Sequence, residues 1–420
     1  VPKNSTHPAA SSVVPLALVA LAAAVIPLIA PSAANAADRR AVVSLTTVDV
    51  GAASNPSVAV VPFTDAIYQS CADAPQTKAT CQTLGGVDYR YAIGRLEITV
   101  GQWVAFLNTA DPSGRDPHRL YDPTESSSAW PRFGQINMSA RATRGRHYSV
   151  AYPAWRDKPY GFANFLRAAR FVNSLDNGRV LSRRPGSAGG VPTVTRRVLL
   201  SRKTERGMYD MRRHKATRTK KAGFVLPSQD EWTKAAYYDP SGGGTMSYWK
   251  YPTNAGVFGD GTATAPSPTT LGASTGDVTN AATQPLATYH AANLTAPTWC
   301  PAGVQPASDC TNVNPFGMDP TNYAKAYQGS LSTVGQAQTT SPWGTLDQGG
   351  NVVEWTDTIS PSPLGTDKGR VWRRLHGGIA NAPAYQLWLS AVGLQPQDNA
   401  LFTVTYPWLG LRIGAIGNPK

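Results

Sequence analysis

Two carboxylates, Asp347 and Glu354, flank a glycine-rich turn in the stretch Ser341-Pro-Trp-Gly-Thr-Leu-Asp-Gln-Gly-Gly-Asn-Val-Val-Glu-Trp355. Gly344, Gly349 and Gly350 fall within seven residues, a density that points to positive φ or to close backbone approach. Carboxylates facing a turn with free carbonyls make a hard-oxygen set of the kind calcium takes. The same residues can equally tie down the turn without a metal. The cysteines are Cys71, Cys81, Cys300 and Cys310, two local pairs of equal spacing. Neither pair has the CxxC spacing of a zinc site, and no histidine cluster accompanies them. Four cysteines allow three pairings; proximity favours Cys71–Cys81 and Cys300–Cys310, disulfides of an oxidising compartment. Asp230 and Glu231 resemble an acid–base pair, but their place in a first helical turn is already explained by capping and the helix dipole.

The elements that must position these groups are short. Apolar alternation in Ala41–Val61 predicts opening strands. Tyr89–Ile98 alternates as a strand, and Thr99 with Gln102 forms a capping box for a helix over Val100–Asn108. Phe162–Leu175 has helical spacing and ends at Asn177-Gly178. Phe224-Val-Leu leads into a helix capped by Ser228 with Glu231 three residues on. Residues 256–297, rich in Ala, Thr, Gly, Ser and Pro, read as a long surface loop. Val371–Gly378 reads as a strand running into a glycine turn, and Trp408–Ile413 as the final strand.

Length and composition set the outer bounds. The chain has 420 residues, 38 Gly, 34 Pro, 11 Trp and only 15% charged residues, the profile of a loop-rich fold stitched by aromatics. The net charge of +13 is local. Residues 179–221 hold fourteen Lys/Arg against Glu205 and Asp210, a balance of +12, and read as a basic insertion. Without interleaved aromatics it does not suit base stacking, so nucleic acid is not expected. Solvated charge, or a docking face for an acidic partner or anionic surface, fits it. Residues 13–30 are apolar and uncharged and precede Ala34-Asn35-Ala36, the pattern of a signal peptide over residues 1–36, with an uncleaved membrane anchor as the alternative. Residues 37–84 then read as an N-terminal extension and 85–420 as the main domain. The expected location is periplasmic or extracellular.

Four segments in order resemble the formylglycine-generating-enzyme (sulfatase-modifying-factor) family, in its exported bacterial branch. They are Ile93-Gly-Arg-Leu-Glu-Ile-Thr with Phe106-Leu-Asn, Leu226-Pro-Ser-Gln-Asp-Glu-Trp with Ala235-Ala-Tyr-Tyr, Gly344–Trp355, and Leu375-His-Gly-Gly378 with Gly410-Leu-Arg-Ile413. The resemblance implies an α+β, C-type-lectin-like domain, loop-rich with short strands and a few helices. It also implies a structural calcium held by Asp347, Gly350, Val352 and Glu354.

Family members that are oxidases hold copper with two cysteines. The matching positions here are Ala382 and Leu387, and no cysteine follows Cys310. Copper(I) selects thiolates, so copper is not expected, and the six histidines do not form the triad that related sulfoxide synthases use for iron. The resemblance therefore implies a scaffold kept and a catalytic pair lost: a binding or structural protein, with an oxidase of unusual ligands or a membrane-anchored accessory subunit as alternatives. His376, Tyr385, Trp388, Tyr406 and Trp408, among small and amide residues, have the composition of a recognition surface for a protein or glycan.

Overall fold

The computed structural model describes residues 40–60, 82–126, 135–242, 247–253, 256–258, 263–271, 277–280, 285–289, 331–361, 369–380, 382, 384–398 and 408–419. The apolar N-terminal run, all four cysteines and Tyr406 lie outside these residues. Through the first helix and its surroundings the elements are β1 (Val42–Val50), β2 (Val58–Val60), β3 (Gln82–Leu84), β4 (Tyr91–Gly94), α1 (Val100–Ala110), β5 (Ile136–Met138) and β6 (Tyr148–Val150). The middle of the chain carries α2 (Phe165–Asp176), β7 (Arg179–Ala188), β8 (Val191–Leu199), β9 (Gly223–Val225), α3 (Gln229–Tyr237), β10 (Ser267–Pro268) and β11 (Leu286–Ala287). The last part supplies β12 (Val353–Ser360), β13 (Trp372–His376), β14 (Gly393–Pro396), β15 (Leu409–Gly410) and β16 (Gly414–Ile416).

Two sheets carry the architecture. One is six-stranded, in the order β7-β8-β1-β4-β16-β9, and the other four-stranded, in the order β14-β13-β12-β15. In β1 the alternation buries Val43, Leu45, Val48 and Val50, and the strand pairs with β8 from Val42↔Leu199 to Val48↔Thr193 and with β4 on its other side. A strand with partners on both sides is central. The segment read as an N-terminal extension over 37–84 is therefore part of the domain.

The basic stretch is corrected in the same way. Its first half is the β7–β8 hairpin, registered from Arg179↔Leu199 to Ala188↔Val191. It is built into the six-stranded sheet and is not an insertion. Its periodicity was hidden because β7 is the edge strand and is exposed on both faces, while β8 buries Thr193, Val194, Arg196 and Val198.

Local signals place the helices. Both capping boxes form, Thr99 with Gln102 at α1 and Ser228 with Glu231 at α3. Helix α2 starts at Phe165, later than its apolar spacing suggests, because Asn164 caps it by accepting from the Arg167 N–H. Trp103 of α1 stacks on Tyr160 with centroids 4.3 Å apart, and Phe106 and Phe171 close around it. Burial of each such ring contributes on the order of 1.5–3 kcal/mol. The chain's last stretch divides between the sheets: Leu409–Gly410 pairs in parallel with β12, and β16 crosses to β4 and β9. That crossing carries Arg412 between the two sheets.

Candidate functional site: a buried carboxylate corner

The turn before β12 is held in the left-handed region at Asp347 (φ 56°), Gly350 (φ 88°) and Asn351 (φ 60°). Asp and Asn are the side-chain-bearing residues that tolerate this region best. At Gly350 no Cβ fits: it would stand 2.1 Å from the Thr288 carbonyl oxygen. The turn is stitched to its surroundings by backbone bonds from Gly350 N–H to Gly377 O at 2.6 Å and from Asn351 N–H to Thr288 O at 2.7 Å.

Glu354 is fully buried on β12. Its Oε1 accepts from Arg412 Nη2 at 2.7 Å and Nε at 3.1 Å. Its Oε2 accepts from Arg412 Nε at 3.0 Å and from the Trp232 indole at 2.7 Å. Arg412 Nη1 and Nη2 also donate to the Gly94 and Leu346 carbonyls, at 2.9 Å each. The guanidinium thus ties β12, β4 and the turn together. It lies against two further carboxylates, Glu97 and Asp347, and its pKa is raised: burial opposes the charge, and Glu354 overcomes it.

Asp347 accepts from the Gly335 N–H through Oδ2, while Oδ1 is buried with no hydrogen-bond partner among the described residues. Burial pushes its pKa up to about 6, against the lowering effect of the Gly335 N–H and of Arg412. Glu97 Oε2 accepts from Asn351 Nδ2 at 3.1 Å, and its Oε1 has no partner among the described residues. Burial, reinforced by Asp347 and Glu354, raises its pKa well above the usual carboxylate range.

These residues do not fit the calcium site that the resemblance implies from Asp347, Gly350, Val352 and Glu354. Both oxygens of Glu354 are engaged by Arg412 and Trp232, so an ion at that carboxylate would have to displace a guanidinium already 2.7 Å away. The corner is pinned by an internal cation supplied by the chain, the Arg412 guanidinium.

The expected recognition surface is also corrected. His376, Tyr385, Trp388 and Trp408 are all buried. His376 stacks on Trp232 with centroids 5.0 Å apart. Neither of its ring nitrogens has a hydrogen-bond partner among the described residues. Burial and then the charge of Arg374 lower its pKa to about 3. Trp388 donates to the Tyr251 hydroxyl at 2.8 Å and lies under the Lys250 ammonium at 4.4 Å. Trp408 joins the main core. Aromatics among small residues suit a core wall as well as an interface, and here burial decides for the wall.

One later arginine of the basic stretch turns inward. Arg218 pairs with Glu231 at 2.9 Å and Asp357 at 3.1 Å. Asp230 and Glu231 stand in the first turn of α3 as expected, and Glu231 has a further partner in the Tyr89 hydroxyl at 2.5 Å. Sequence reasoning missed Arg412, Glu97 and Trp232 as members of the corner. The available signal was a lone charge in an apolar run, as in Leu411-Arg412-Ile413 and Leu96-Glu97-Ile98.

A loop-rich α+β domain whose two sheets are joined at a glycine turn by a buried Glu–Arg pair defines the class of protein. The chain belongs to the sulfatase-modifying factor enzyme 1-like domain family, whose model matches residues 74–386. Among solved structures it is similar to Treponema denticola variable protein 1, at 17% identity over 89% of this chain and 95% of that one, with a TM-score of 0.40. It is also similar to CarF, at 14% identity over 89% and 99% of the two chains and a TM-score of 0.40. PvdO from Pseudomonas aeruginosa is similar at 14% identity over 88% and 93%, with a TM-score of 0.36. No curated protein matches the chain.

Proposed function

We propose that this chain is an exported, non-catalytic binding or structural member of its family. One observation carries the reading. The positions that correspond to the oxidases' copper-binding cysteines are Ala382 and Leu387, both buried, and Leu387 packs with Tyr251, Tyr385 and Trp388 in an apolar cluster. Thiolates are the ligands copper(I) selects, and the sequence has none after Cys310. The test offers purified full-length chain copper(I) under reducing conditions, together with a cysteine-bearing peptide. Absence of stoichiometric copper uptake and of peptide oxidation is the expected result. One copper bound per chain with turnover of the peptide overturns it in favour of the oxidase.

Export rests on the apolar run over residues 13–30 and the Ala34-Asn35-Ala36 pattern behind it. N-terminal sequencing of the native protein checks it, with Ala37 as the expected first residue. Retention of residues 13–30 in a membrane fraction would instead make the chain an anchored accessory subunit. The exposed arginines of β7 are the face such a subunit would offer to an acidic partner.

A further inference from the structure

Arg374 breaks a pattern that the other deeply buried arginines keep. Arg167 pairs with Asp122 at 2.5 Å, Arg412 with Glu354 at 2.7 Å, and Arg373 donates to carbonyls and to Gln397 Oε1 at 3.2 Å while lying over the Phe165 ring. Arg374 is only 7% exposed, yet among the described residues its guanidinium has neither an ion pair nor a hydrogen bond. Its nitrogens are not closed off from solvent: the stem is buried while the charged head reaches the surface without a protein partner among the described residues, where a ligand can meet it.

Alternation on β13 sends Arg373 and Leu375 to one face and Trp372, Arg374 and His376 to the other, where α3 packs. There Arg374 lines a cleft of about 400 Å³ with Gln82, Thr83, Gln229, Asp230 and Thr358. That volume is near the small end of ligand sites, roughly 300–1,000 Å³. The register of β12 against β13 shifts between Trp355 and Ile359, opposite Arg374. Irregularities of this kind re-aim side chains beside sites. The hydroxyl of Thr358 accepts from the Gln229 N–H at 2.8 Å, which leaves its own proton free to donate. Asp230 accepts from the Gly85 N–H through Oδ1 at 2.9 Å and makes no ion pair with Arg374. The cleft therefore presents one cation and one anion, unpaired with each other, between amides and hydroxyls.

We propose that this cleft binds a free α-amino acid, its carboxylate on Arg374 and its ammonium on Asp230. A simple anion would leave Asp230 facing it, and a simple amine would leave Arg374 unpaired. A zwitterion satisfies both. The inference rests on the reading of the chain as a binding protein and gives that reading a ligand class. The copper test and the one that follows are separate measurements, so either can fail alone.

The probes are glycine, N-acetylglycine, glycinamide and acetate, titrated calorimetrically into the full-length chain. Glycine is expected to bind saturably at millimolar concentration or below, and each of the other three, which lacks one charge, at least about tenfold more weakly. Arg374→Met and Asp230→Asn should each weaken glycine by about tenfold or more while keeping the wild-type melting temperature. Should Arg374→Met fail to fold, Asp230→Asn with the blocked probes decides alone. The proposal is overturned by no saturable glycine signal up to about 10 mM, by acetate binding as tightly as glycine, or by glycine binding unchanged in a folded Asp230→Asn chain.

Discussion

Removing Arg412 is the most severe test of the corner. In Arg412→Met the stem's volume is kept, but Glu354 loses contacts at 2.7, 3.0 and 3.1 Å and keeps only the Trp232 indole. Both side chains are essentially inaccessible, at 0% and 1% exposure. Breaking a buried pair from one side costs about 3–5 kcal/mol, because a charge is left without compensation. Folded domains have on the order of 5–15 kcal/mol in total, so the variant loses about a fifth of its stability or more. With a urea slope of about 3 kcal/mol/M, the midpoint falls by about 1–1.7 M. Glu354→Gln should cost less, because Arg412 still donates to the Gly94 and Leu346 carbonyls. The double variant should be less destabilised than the sum of the two, with a coupling of about 2 kcal/mol or more. The assay is urea unfolding of all four chains, each with calcium and with a chelator. Equal midpoints in the two solutions are expected for the wild type. A wild-type midpoint that rises with calcium and no longer does so in Glu354→Gln would refute the internal-cation reading. So would an Arg412→Met cost below about 1 kcal/mol, since a buried pair cannot be that cheap to break.

Asp347 gives the corner a pH dependence. Its folded pKa of about 6 lies above the unfolded value of about 3.9, so its contribution is fully present below about pH 4 and is lost as pH rises through about 6. Asp347→Asn should flatten this fall, on the order of 3 kcal/mol at most, in urea midpoints measured between about pH 4 and 7; an unchanged slope would count against the assignment. Deleting residues 179–221 should abolish folding, since it removes β7, β8 and the Arg218 pairs to Glu231 and Asp357. A folded deletion product would contradict the placement of the hairpin. Replacing Arg183 and Arg184 on the exposed edge strand by Val should leave the melting temperature nearly unchanged but increase light scattering, because charges on an edge block strand addition.

What could be read from the chain was what neighbouring residues decide among themselves. Two capping boxes and the central turn each lie within a short span, and each stands where its residues indicated; the family model likewise covers the first three of the four segments. The corner did not have that locality: Glu354 meets Arg412 at 58 residues' separation, Trp232 at 122, and Asn351 meets Glu97 at 254. Charge was misleading for a related reason. A run such as Trp372-Arg-Arg-Leu-His376 looks solvated, yet all five residues are buried. Arginine can be buried at low cost wherever carbonyls and carboxylates from distant segments reach its planar fork, and no sequence window shows which segments those are. Arg373 and Arg374 are adjacent, of one type and on one strand, and only the fold separates them. Arg373 donates to the Asp357 and Lys215 carbonyls and to Gln397, whereas Arg374 faces a cleft with no partner among the described residues. The difference between a structural arginine and one available to a ligand is therefore set by the alternation of a single strand and by what packs on each of its faces.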